Sequence, residues 1–111
     1  MLPASARLRK SSEISAVMKT GTRFSAKLVV IHVAQTSSEN TKVAFAVGKN
    51  VGNSVVRHKV TRQLRHAITP LLNNFPVGSH VVVRALPGAS QASFTQLSEN
   101  LKFATSKVTA L

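Results

Sequence analysis

Lys49-Asn50-Val51-Gly52-Asn53-Ser54-Val55-Val56-Arg57-His58-Lys59-Val60-Thr61-Arg62-Gln63-Leu64-Arg65-His66 is the stretch that decides the fold. Gly48, Asn50, Gly52 and Asn53 mark a loop, because glycine and asparagine tolerate turn geometry. A helix then starts near Asn53 or Ser54, both good N-cap residues. Val56, Val60, Leu64, Ala67 and Leu71 recur at helical spacing and predict one buried stripe. Pro70 must kink or end the helix, since its ring removes a backbone donor and clashes one turn back.

The other face of the same helix is cationic. His58, Arg62, Arg65 and His66 cluster at spacings of three, four and seven, with Lys59 beside them and Arg57 in the first turn. Like charges at such spacings destabilise an isolated helix by a few tenths of a kcal/mol per pair. Cations near the N-terminus also oppose the helix dipole. Two local costs in one place point to an external anion that offsets them. Arginine grips phosphate with two donors at once, and the helix start offers free N–H groups.

Outside that segment, Ser11 or Ser12 caps a short first helix with Ile14, Val17 and Met18 on one face and Gly21 just past its end. Leu28–Ala34 and Lys42–Val47 read as strands that form a hairpin across a polar turn at Gln35–Thr41. Ser79–Ala85 is another strand, centred on three valines. Ser93 and Gln96 have capping-box spacing, and Phe94, Leu97, Leu101, Ala104 and Val108 form an apolar stripe behind them. The order α-β-β(-β)-α-β-α, with a further strand near Phe24 left open, predicts a two-layer α/β sandwich. Residues 1–111 make one domain, and residues 1–10 form an extended basic arm.

Charge sets the class of partner. Fifteen Lys and Arg oppose three acids, a formal net charge of +12, and twelve of the fifteen lie at or before Arg65. A domain this basic repels itself unless a polyanion neutralises it. The 43% apolar share supports one folded core. No cysteine is present, which excludes disulfides and thiolate metal sites and fits a reducing compartment. No apolar run reaches the ~20 residues of a membrane span, nor is there a signal-peptide pattern. The expected location is the cytoplasm, with no membrane partner.

Val51-Gly52-Asn53-Ser54-Val55-Val56-Arg57, with Arg62 and Arg65 at the expected spacings, resembles the signature of the bacterial ribonuclease P protein family. The family pattern is Val-Gly-Asn-Ala-Val-x-Arg-Asn-Arg, followed by Lys-Arg and a further Arg. His58 and Lys59 here stand where the family usually has Asn and Arg, and Thr61 replaces a common Lys. Gly48-Lys49-Asn50 replaces Ser-Lys-Lys. Leu8-Arg9-Lys10-Ser11, Val17-Met18-Lys19-x-Gly21-x-Arg23, and His80 to Arg84 followed by Pro87 extend the resemblance over nearly the whole chain.

The resemblance implies a protein subunit that helps a catalytic RNA remove the 5′ leader of precursor tRNA, with Mg²⁺ held through RNA and no cofactor bound by the protein. It implies that Lys49, Asn53, Arg57, His58, Lys59, Arg62, Arg65 and His66 contact the ribonuclease P RNA. A cleft between the first helix and the sheet would take the leader, with Arg9, Lys10, Ile14, Met18, Arg23 and His32 as candidates. The family often stacks unpaired bases on aromatics there. This chain has neither Tyr nor Trp. The family fold also joins two parallel strands by a left-handed crossover, against a right-handed preference of about 98%.

Protein-borne catalysis is disfavoured by composition. Asp is absent, and Glu13, Glu39 and Glu99 are scattered, so neither a two-metal site nor a carboxylate pair is expected. No catalytic or metal-binding residue is assigned to the protein. A general or ribosomal RNA-binding protein is the alternative reading. A DNA-binding helix-turn-helix lacks its second helix within a short turn.

Overall fold

The computed structural model describes residues 4–36 and 39–109. Met1–Pro3 of the predicted arm and the tip of the polar turn lie outside them. Three helices, α1 (Ser11–Thr20), α2 (Ser54–Ile68) and α3 (Phe94–Thr109), pack on a sheet of β1 (Thr22–Ser25), β2 (Val29–Gln35), β3 (Lys42–Ala46) and β4 (Ser79–Ala85). The α/β sandwich order is the expected one, with the open strand near Phe24 resolved as β1.

The strand order β1-β2-β4-β3 corrects the predicted hairpin. β2 and β3 do not pair: β4 lies between them, antiparallel to β2 and parallel to β3. The reason lies in the valine run. Val81, Val82 and Val83 are each fully buried, so β4 has apolar neighbours on both faces and belongs at the sheet centre. The connection after β2 must then step over one strand, about 10 Å. It does so by binding the entry to β4, where Thr36 donates to the Gly78 carbonyl (N–H, 3.1 Å) and Thr41 to that of Pro76 (3.2 Å). Gly78 takes φ 84° at this crossing, a backbone conformation that favours glycine.

Alternation along the strands sorts their side chains onto two faces. Phe24, Val29, Ile31, Val43, Val81 and Val83 turn to one face and pack with Val60, Leu64, Leu97 and Leu101 of α2 and α3. Val82 and Ala44 turn to the other and meet Leu8 and α1 through Val17, Ile14 and Met18. The second face is therefore only partly roofed, by one short helix.

Local signals in α2 are carried through as expected. Asn53 is the N-cap, its Oδ1 accepting from Val56 N–H at 3.0 Å. The α-helix stops at Ile68, and Thr69–Asn74 continues as a 3₁₀ turn holding Pro70 and Leu71. At α3 the capping box is reciprocal: Ser93 N–H donates to Gln96 Oε1 (2.8 Å), and Gln96 N–H to Ser93 Oγ (3.1 Å). Two details differ. Lys10 occupies the N-cap position of α1, which has no side-chain cap. Phe94, the first residue of α3, is exposed rather than part of the buried stripe.

Gly21 ends α1 through close approach rather than a left-handed turn. A Cβ there would lie 2.5 Å from the Val17 carbonyl oxygen and 2.9 Å from that of Val33. This contact lets the chain turn from α1 straight into β1.

Candidate nucleic-acid interface

The cationic face of α2 is built by its core contacts. Burial of Val60, Leu64, Ala67 and Ile68 fixes the rotation of the helix, which leaves His58, Lys59, Arg62 and His66 exposed, with Arg57 and Arg65 half-buried. Asn53 stands at its start with its oxygen committed to the cap, and Lys49 is exposed in the preceding loop. All eight residues that the sequence nominates for the catalytic RNA thus lie on one helix and its entry loop.

The arm extends this surface. Ala4–Ala6 is a 3₁₀ turn, and the chain then runs along the outer edge of β3. Arg7 bridges Val43 in parallel, and Leu8 N–H donates to the Val43 carbonyl at 2.9 Å. The pairing covers an otherwise free sheet edge. It also places Arg7 and Arg9 beside Arg65 of α2. These three, with Leu8, Ile14, Phe45 and Thr61, line a recess of about 490 Å³.

The leader-cleft candidates therefore divide. Arg9 and Ile14 line the recess shared with α2. Met18 packs in the small cluster beneath α1, and Lys10 is the exposed N-cap of α1. Arg23 and His32 lie farther along the open sheet face, directly opposite each other on β1 and β2. Arg84 of β4 was not among the candidates. It pairs with Val30, two residues from His32 along β2, and so points to the same face as His32. The alternation His80, Val82, Arg84 carried that signal.

His32 is the most perturbed group of this surface. Only 6% of it is exposed, and burial, then Arg84 and Arg23, hold its pKa below the ordinary 6.5. Its Nε2 and the Arg84 Nε have no hydrogen-bond partner within the protein. The consequence for stability has a definite sign. Between pH 6.5 and the lower folded value, the unfolded chain binds more protons than the folded one, so stability is lost as pH falls through that window. The melting temperature of the free protein is expected to fall from pH 7 to pH 5, and less steeply in His32→Gln. Equal slopes for both proteins would remove His32 from the acid response.

The acids do not converge. Glu13, Glu39 and Glu99 line three separate recesses, and no group of three or more potential ligands among His and Glu is found among the described residues. Nor is any helix among them long and apolar enough to cross a membrane.

A mixed α/β fold with an arginine-rich surface and dispersed carboxylates defines a polyanion-binding protein. The family model for Ribonuclease P matches residues 2–109. The chain belongs to the ribonuclease P protein family. It is 40% identical over 106 residues to the ribonuclease P protein component of Mycobacterium sp. (strain KMS), covering 94% of this chain and 90% of the relative. The corresponding component of Acidothermus cellulolyticus is 39% identical over 99 residues, covering 87% and 82%. Among solved structures, the Staphylococcus aureus RNase P protein superposes with a TM-score of 0.82 at 20% identity, covering 93% of this chain and 96% of that one. The Thermotoga maritima RNase P protein, in complex with 1-(4-fluorophenyl)-2-thiourea, gives 0.80 at 18% identity, with 95% and 99% covered.

Proposed function

We propose that this chain is the protein subunit of a ribonuclease P in which RNA performs the phosphodiester cleavage. The protein binds that RNA and the 5′ leader of precursor tRNA, and so assists maturation of the tRNA 5′ end. The observation that carries this reading is the division of the basic surface within a member of this family. One part is the face of α2 with its loop and the arm; the other is the open sheet face beside α1.

Lys49, Arg57, His58, Lys59, Arg62, Arg65 and His66 neutralise phosphates of the catalytic RNA, and Asn53 holds the helix start that presents them. Arg7 and Arg9 add two cations at the α2 recess. The leader passes across the sheet face beside α1, where Arg23, His32 and Arg84 share one side. Three dispersed glutamates give no site for a pair of metal ions, so Mg²⁺ in the holoenzyme is held by RNA phosphates. The protein lowers repulsion between two polyanions and positions the substrate. A compartment containing RNA and reduced thiols, the bacterial cytoplasm, matches this role.

The direct test compares holoenzyme affinity for precursor tRNA with a five-nucleotide leader and for the same tRNA without one. The protein is expected to strengthen binding of the leader-bearing form selectively. Equal strengthening of both forms would leave a general RNA-binding protein in place of a leader-reading subunit.

A further inference from the structure

We propose that Arg23, His32 and Arg84 form a phosphate seat for single-stranded RNA, and that a phosphodiester of the leader enters it together with one proton on His32. The inference rests on the leader reading above and assigns a ligand chemistry and a proton to one part of that face.

Three observations converge on this place. The register sets Arg23 directly opposite His32, and Arg84 diagonally across from it on β4. Opposite and diagonal partners on one face of a sheet lie within side-chain reach. The buried Nε2 of His32 and Nε of Arg84 have no partner within the protein. Buried polar atoms are ordinarily paired, and the Nε2 of His80, on the other side of Val82, is a third orphan on this face, so the patch is prepared for an acceptor. The seat also adjoins the loop before α2. Arg84 lines a recess of about 430 Å³ with Ala46, Val47, Gly48 and Asn50, so one edge of the seat meets the loop that leads into α2.

The surrounding charges explain the proton. Burial first, then Arg84 of β4 and Arg23 of β1, which face His32, hold its pKa below the ordinary 6.5 in the free protein. α1 presents apolar Ile14, Val17 and Met18 to the small cluster on this face. Its Glu13 lines a recess with Ala34, Lys42 and His80, His80 being the other diagonal neighbour of His32 on β4, and Lys10 and Lys19 are exposed. No carboxylate of α1 therefore enters the recess beside Arg84. An anion seated between the two guanidiniums offsets part of their repulsion of a proton on His32, which favours the imidazolium relative to the free protein. The imidazolium then supplies a charged donor to the phosphate.

Proton linkage makes the effect measurable. Affinity rises as pH falls from above the bound pKa towards the free pKa, by at most about tenfold per pH unit for one proton. The experiment uses the holoenzyme and compares precursor tRNA bearing a five-nucleotide leader with the leaderless form from pH 8 to pH 6. Leader-specific affinity is expected to rise more than about threefold over that range, and to become flat in His32→Gln. His32→Gln keeps a polar side chain of similar size, and its melting curve at pH 8 reports whether it is folded. A leader contribution that is present but independent of pH, or equally pH-dependent in the folded His32→Gln variant, overturns the proton-linked seat and leaves the leader reading intact. Absence of any leader contribution overturns both. A pH dependence shared by the leaderless form assigns the phosphate to the catalytic RNA and overturns the leader assignment.

Discussion

Replacing Arg57, Arg62 and Arg65 together by Ala is expected to weaken binding to ribonuclease P RNA by about 10³-fold, at ~1.5 kcal/mol per charge-assisted contact. Arg62 is exposed, and Arg57 and Arg65 are half-buried, so removal of all three leaves the stripe of Val60, Leu64, Ala67 and Ile68 in place. Folding should be retained because α2 is held by that stripe and by its Asn53 cap. The signature that separates lost phosphate contacts from general damage is salt dependence. Wild-type affinity should fall by about 10³–10⁵ between 50 and 200 mM salt if six to ten phosphates are neutralised. The triple variant should show a shallower log–log slope, by about two to three units. An unchanged slope would take α2 out of the RNA interface.

The second large effect is structural. Leu64 is fully buried at the contact of α2 with the sheet and α3, so Leu64→Ala should cost about 2–5 kcal/mol. Total stability for a domain is about 5–15 kcal/mol, and one kcal/mol shifts the melting temperature by about 4–8 °C at this size. A fall of at least about 8 °C is therefore expected in thermal unfolding. A smaller shift would mean that the stripe is not what holds the cationic face. Because Leu64 contacts no RNA in this account, binding by the fraction still folded should be near normal.

These two variants separate what α2 does from what keeps it in place, and the sequence made both faces legible. The 3.6-residue recurrence of Val60, Leu64 and Ala67 defined the buried stripe, and the arginines fell on the remainder. Asn53, Pro70 and the Ser93–Gln96 pair marked their helix ends through local chemistry, which sequence proximity is enough to reveal. Strand order was not legible in that way. A polar turn between two apolar runs reads as a hairpin, and nothing local to it announces that β4, some forty residues later, will enter between the two strands. The full burial of Val81–Val83 decides that, and burial belongs to the assembled sheet.

The site divides along the same line. Lys49 to His66 lie in one continuous segment, so their convergence required only a helix. Arg7 and Arg9 reach Arg65 because the arm pairs with the edge of β3, and Arg84 meets Arg23 and His32 through two strand registers. Each of those meetings depends on long-range pairing. Alternation on Ser79–Ala85 placed Arg84 on the face of His80, yet only the register relates that face to His32. The missing aromatics, visible in composition alone, are what direct attention to phosphate rather than base contacts at this position.

The central claim is that the protein assists an RNA catalyst, and precursor-tRNA cleavage by a bacterial ribonuclease P RNA at low Mg²⁺, with and without the protein, tests it most directly. The account predicts strong stimulation by the protein, lost in the folded Arg57/Arg62/Arg65 triple alanine variant, and no cleavage by the protein alone. No stimulation by a protein that binds another RNA tightly, or cleavage by the protein free of RNA, would contradict it.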